Sequence, residues 1–128
     1  MALETEQKTL SWETVSRGVA AMLSNDSLGF YLVAIVDEQV TGCLAVTYEW
    51  SDWRNGQFWW IQSVYVDEQY RGQGVFSAMY QRVKEMALGQ DGVCGIRLYV
   101  EVDNHRAQRT YFRLGMQETH YRLLEEEF

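Results

Sequence analysis

The run Val64-Tyr65-Val66-Asp67-Glu68-Gln69-Tyr70-Arg71-Gly72-Gln73-Gly74-Val75-Phe76 joins an apolar, strand-like stretch to a helical pattern through an arginine and two glycines. That order suits the binding of a phosphate. Glycine lets the backbone turn tightly and come close to a ligand, because no Cβ intervenes. The amides of the loop and of the first helical turn have no partners of their own, so successive N–H groups can form a concave nest for anionic oxygens. An ordinary strand-to-helix turn, with its glycines present for geometry alone, is the plainer reading of the same residues. A second chemical group lies towards the C-terminus, where Asn104 precedes a short helical pattern that carries Tyr111. A tyrosine of ordinary pKa, about 10, is protonated at neutral pH and can give a proton to a departing anion. The plainer reading of Tyr111 is a core side chain on the buried face of its helix.

The elements that must position these groups follow from hydrophobic periodicity. Ser11 can cap a helix with Glu13 in its first turn, and Trp12, Val15, Val19, Met22 and Leu23 recur at helical spacing, which predicts a helix over 12–24. Asn25-Asp26 ends it. Phe30 to Val36 is a continuous apolar run, the pattern of a strand covered on both faces. A short turn at Asp37-Glu38-Gln39 leads into an antiparallel strand over Val40 to Trp50, and Asn55-Gly56 is a hairpin signal before a third strand over Phe58 to Val66. Beyond the glycine loop, Phe76, Met79, Tyr80, Val83 and Ala87 make a helical stripe over 75–88, which the stretch from Gly89 to Gly92 breaks. A strand is expected over Cys94 to Val102, then a short helix capped by Asn104 with Ala107, Tyr111 and Leu114 on one face. Gly115 suits the position after it. Met116 to Leu124 reads as a last strand, and Glu125-Glu126-Glu127 as a solvated tail.

A strand, helix and strand over 58–102 form a crossover unit, so those two strands should be parallel and joined right-handedly. The expected fold class is α+β, with a mixed, mostly antiparallel twisted sheet flanked by helices. At 128 residues the chain is one domain, 1–128, able to bury a core without metal or disulfide support. Hydrophobic content of 47% argues against disorder. A net charge of −7 disfavours a nucleic-acid surface, which would need a basic patch, and is compatible with a cationic substrate. Cys43 and Cys94 sit in apolar segments with no metal-ligand spacing, so they read as buried, inert thiols, no metal is expected, and a reducing, cytoplasmic setting fits. No apolar run approaches the roughly 20 residues of a membrane span, and Met1 to Leu10 has no apolar core of a signal peptide.

With both halves in view, the chain resembles the GNAT superfamily of acetyl-CoA-dependent N-acetyltransferases. The family's loop pattern is Arg or Gln, two residues, Gly, one residue, then Gly or Ala; it falls here on Arg71, Gly74 and Phe76, the last departing from the usual small residue. A second signature is met by Asn104, Ala107, Tyr111, Gly115 and Met116 at every position. The resemblance implies acetyl-CoA as acyl donor, with the pantetheine arm against a bulged, splayed strand at Val64, Tyr65 and Val66. It implies that the amides of Gly72, Gln73, Gly74, Val75, Phe76 and Ser77 hold the pyrophosphate beside Arg71. Asn104 would contact the cofactor, and Tyr111 would protonate the CoA thiolate after direct attack by an amine.

The acceptor side is less determined. Relatives that acetylate polyamines can carry a glutamate near the position of Gln62, which cannot itself take a proton. Glu49, Asp52 or Glu101 could serve directly or through water, or a low-pKa amine could need no base. Trp50, Trp53, Trp59 and Trp60 bracket one hairpin and could line an amine pocket, since aromatic faces attract ammonium groups; core packing or a dimer surface would use them equally well. Family domains normally open with a strand and helix ahead of the first helix here, and Met1 to Leu10 is too short and polar for that strand. The 30–36 strand would then lie at the sheet edge with no lysine or proline to discourage pairing, which suggests a homodimer through it or a start further upstream. The leading expectation is an enzyme acetylating a small-molecule or peptide amine; a non-catalytic acyl-CoA-binding module is the alternative. A dinucleotide-binding fold fits poorly, because Gly72-Gln73-Gly74 lacks a third glycine.

Overall fold

The computed structural model describes residues 9–128. The opening segment weighed above therefore lies outside the described residues, except Thr9 and Leu10. The elements run α1 (Trp12–Leu23), β1 (Gly29–Val36), β2 (Gln39–Ser51), β3 (Gly56–Val66), a 3-10 turn (Glu68–Tyr70), α2 (Val75–Leu88), β4 (Val93–Leu98) and α3 (His105–Arg113). The strands form one sheet in the order β1-β2-β3-β4, antiparallel except between β3 and β4. The expected α+β class and the parallel crossover are both present.

Ser11 starts α1 by accepting a hydrogen bond from the Thr14 amide at 3.3 Å. The apolar stripe of α1 buries no residue, so this helix lies lightly on the domain. The stripe of α2 behaves differently. Met79, Tyr80, Val83 and Ala87 are buried against Leu44 and Val46 of β2 and Trp59 and Ile61 of β3. These three elements make the core, and the 3.6-residue period of α2 is what brings its four side chains onto one face.

Two turns show how local sequence sets the hairpins. Val36 pairs with Gln39, leaving Asp37 and Glu38 as a two-residue loop with φ of 51° and 65°. Two successive left-handed residues match the right-handed twist of the flanking strands. In the second hairpin Ser51 pairs with Gly56 across four residues, and Asn55 takes the left-handed conformation. Gly56 is not a turn residue here. It is glycine because a Cβ would sit 2.8 Å from the Gly92 carbonyl oxygen.

Several expectations are corrected. The apolar run of β1 is covered on one face only: Phe30, Leu32 and Ala34 pack on the core, whereas Val33 and Ile35 are 49% and 64% exposed. The core cluster packs on one side of the sheet, and the alternation of a strand turns Val33 and Ile35 to the other. β4 ends at Leu98 rather than Val102, and residues 116–124 form no strand. Cys43 is half-buried and Cys94 exposed, so neither is the sealed thiol anticipated.

Candidate active site

The strand leading to the glycine loop is irregular where the loop chemistry needs it. Cys43 pairs with Tyr65 and Ala45 with Gln62, so Leu44 alone faces both Ser63 and Val64. This is a β-bulge, with Ser63 at φ 54°. A non-glycine residue in that conformation marks a strained site held by its surroundings. Gly42 helps to hold it. A Cβ there would lie 3.1 Å from both the Tyr65 carbonyl oxygen and Val75 Cγ1, so glycine lets β2, β3 and α2 close together at the bulge.

On its other side β3 parts from β4. Their parallel ladder ends at Ile61 and Leu98, while β3 continues to Val66. The Gln62–Tyr65 stretch therefore has no ladder neighbour on that side among the described residues. Val64 and Val66 pack inwards against the core, while Tyr65 lies under the Arg71 guanidinium at 5.6 Å. Arg71 also donates from Nε to the Val66 carbonyl at 2.9 Å, tying the loop to the end of the strand.

Gly72 and Gly74 have φ of 76° and 82°, and a Cβ on either would meet nothing within 4 Å. Their backbone angles, not crowding, call for glycine, and the space outside the loop is open. Gly74 caps α2 without a side-chain bond, and Ala78 N–H to the Gly74 carbonyl at 3.0 Å is the first turn of the helix. The amides of Val75, Phe76 and Ser77 have no intrahelical acceptor, as at every helix start. The Gln73 side chain turns back and donates to the Gln69 carbonyl at 3.0 Å.

Helix α3 delivers the tyrosine to this place. Asn104 caps α3 by accepting from the Ala107 amide at 3.2 Å. Tyr111, on the same helix, meets Phe76 edge to face at 5.5 Å between ring centroids. Burial raises the Tyr111 phenol above its ordinary value of 10.0, so it holds its proton through the neutral range. Phe76 also packs on Tyr80, which explains the aromatic at a position where a small residue is usual: its ring is the contact between α2 and Tyr111.

On the sheet face away from Trp59 and α2, the candidates for the acceptor side are partly gathered. Glu49 accepts from Trp60 Nε1 at 2.7 Å and from Arg97 at 3.0 and 3.2 Å. Arg97 lies over the Phe58 ring at 3.6 Å, and Trp60 packs on Tyr99 at 4.5 Å. Gln62 donates to Thr47 Oγ1 at 2.7 Å. The other candidates scatter. Trp59 is in the core, Trp50 and Trp53 are exposed, Asp52 accepts from the Trp53 amide in its own turn, and Glu101 lies exposed before α3. The four tryptophans do not form one pocket.

The family model described as "Acetyltransferase (GNAT) family" matches residues 1–116. The chain belongs to this family. Its GNAT fold is closely shared by the crystal structure of a possible acetyltransferase from Clostridium difficile 630, at 43% identity and TM-score 0.91, covering 99% of this chain and 84% of that one. The thialysine N-epsilon-acetyltransferase of Bos taurus is 37% identical over 71 residues, which is 56% of this chain and 41% of that protein. The chain thus matches about two fifths of that curated relative. At 14% identity, AAC(6')-Iy in complex with the bisubstrate analogue CoA-S-monomethyl-acetylneamine shares the fold, with TM-score 0.77 and coverage of 92% and 81%. The family is one of acetyltransferases.

Reasoning from sequence missed Ser63, Arg97 and Tyr99 in this GNAT domain. No local signal marks the bulge, since it depends on the register between two strands. The Arg97–Glu49 pair joins residues far apart in the chain, and only the parallel ladder brings them together. Among the described residues no group of His, Cys, Asp and Glu side chains could hold a metal ion, and no helix is long and apolar enough to cross a membrane.

Proposed function

We propose that this GNAT domain transfers the acetyl group of acetyl-CoA to a primary amine by direct attack, with Tyr111 as general acid. One observation carries the reading: a bulged strand that parts from its neighbour runs into a left-handed glycine loop, and Tyr111 is packed on the first turn of the helix behind it. The donor set fits a CoA diphosphate. Open space outside Gly72 and Gly74, the unbonded amides of Val75 to Ser77 and the positive end of α2 all favour an anion there. The unpaired edge of β3 at Gln62 to Tyr65 offers main-chain groups to the amides of the pantetheine arm.

The amine must be neutral to attack, and a lysine-like amine has an ordinary pKa of about 10.4. Its nitrogen lone pair forms a bond to the thioester carbon, and the carbon–sulfur bond breaks with its electron pair on sulfur. Tyr111 supplies the proton that the sulfur takes, and the proton lost by nitrogen passes to water. Asn104, which caps α3, is assigned to contact the cofactor. On the acceptor side, the Glu49 carboxylate and the Trp60–Tyr99 pair offer a surface that attracts an ammonium group. Glu49 already accepts from Trp60 and Arg97, so it serves to orient the incoming cation. The name of the bovine relative points to an amine at the end of a flexible side chain, and lysine-type amines therefore head the trial set.

The test is release of free thiol from acetyl-CoA in the presence of small amines and amine-bearing peptides, beside calorimetry with CoA. Saturable CoA binding and amine-dependent thiol release are the expected results. A folded protein that gives no heat with CoA ends the proposal.

A further inference from the structure

Helix α3 carries the acid of the proposed chemistry but has little hold on the domain. None of its residues from His105 to Arg113 is buried, and packing on the core comes after it, from Leu114 and Met116. Among the described residues Tyr111 makes one ring contact, edge to face with Phe76 at 5.5 Å and 65° between planes. Phe76 is better anchored. It lies in the first turn of α2, packs on the core, and meets the buried Tyr80 ring at 6.3 Å, one turn along the same helix face. The three rings thus run from the core of the domain out to the phenol. An alanine or glycine at residue 76 would end that row at Tyr80 and leave the phenol without its neighbour.

We infer, resting on the reading of Tyr111 as general acid, that Phe76 is a positioning residue for the transfer: its ring seats the phenol against the first turn of α2. Proton transfer needs the donor within hydrogen-bond reach of the acceptor. A displacement of about 1 Å can cost on the order of a hundredfold in rate. A ring met edge to face limits both the swing of Tyr111 and the sliding of α3 along α2. The same contact covers one side of the phenol and so shares in the burial that raises it above 10.0, a rise to which no charged side chain adds. Beyond Phe76 the next titratable group on α2 is Tyr80, itself a buried phenol; on the tyrosine's own helix Arg109 and Arg113 are exposed.

Phe76→Ala and Phe76→Leu, each alone and combined with Tyr111→Phe, separate seating from cofactor binding. Both leave the main-chain amides of the loop in place, so CoA affinity by calorimetry should hold. The single-turnover rate should fall by about tenfold or more in Phe76→Ala and by less in Phe76→Leu. In the Tyr111→Phe background the same substitutions should cost almost nothing further, because residues that act as one unit are not additive. An equal loss in both backgrounds marks a merely structural ring and overturns the inference, as does an unchanged rate. A titration independent of turnover reads the contact itself. The phenolate absorbance of Tyr111, taken by difference from Tyr111→Phe, should appear at lower pH in Phe76→Ala. An unmoved titration beside an intact Tyr111→Phe effect strikes the positioning role alone. If Tyr111→Phe leaves the rate unchanged, the general-acid reading has failed and the positioning role falls with it. Should Phe76→Ala lose its far-ultraviolet dichroism, Phe76→Leu, which keeps apolar bulk on the core, decides by the same readings.

Discussion

Tyr111 and Gly74 carry separable parts of the proposed chemistry, and each can be tested alone. Tyr111→Phe keeps the ring that packs on Phe76 and removes only the hydroxyl. A general acid contributes about 10²- to 10⁴-fold, so kcat should fall by about a hundredfold or more while CoA affinity holds. The loss should shrink with acyl donors that have better leaving groups; an unchanged kcat with chemistry rate-limiting removes Tyr111 from the role. Gly74→Asp probes the loop, because Asp is among the side chains that tolerate a φ of 82°. The substitution sets a negative charge at the helix start, and the CoA Kd should rise by about tenfold or more, near 1.4 kcal/mol. Calorimetry reads this directly. Both residues were visible in the sequence because their signatures are short and local. Ser63 was not, since one extra residue in a strand is defined only by the strand opposite.

Among the elements, β2, β3 and α2 hold the molecule together, and β1 is an attachment. Leu44 is fully buried in the core, so Leu44→Ala should destabilise by about 2–5 kcal/mol. Val33→Ala, on the exposed face of β1, should stay within about 0.5 kcal/mol. Urea midpoints of the two variants check the contrast, and equal losses would mean that β1 is covered in solution. The helical stripe of α2 was legible because a period of 3.6 is a property of one segment. The strandedness of β1 was legible too, but not its exposure. An unbroken apolar run cannot say whether one face of a strand is covered or both. The same limit explains residues 116–124, where alternation states a capacity to pair and says nothing of whether a neighbour is at hand.

For the whole molecule, the response to alkali follows from three phenols, Tyr80 buried and Tyr48 and Tyr111 half-buried. Burial raises Tyr48, Tyr80 and Tyr111 above 10.0, and the Asp26 charge adds to the effect at Tyr48. Their protonated forms are favoured in the folded state, so the stability they contribute is complete below about pH 10, the unfolded value. It is lost as pH rises through the folded values. Denaturation midpoints should therefore be insensitive to these groups near neutrality and should fall above pH 10, in step with phenolate absorbance. Tyr48→Phe together with Tyr80→Phe should flatten part of that fall. The light seating of α1, which buries no side chain, has a consequence for the time axis. Deuterium should enter the amides of Trp12 to Leu23 through brief local opening, long before it reaches those of α2 and the centre of β3. The most protected amides report the free energy of the cooperative unit, and α1 unlatches on its own well below that threshold.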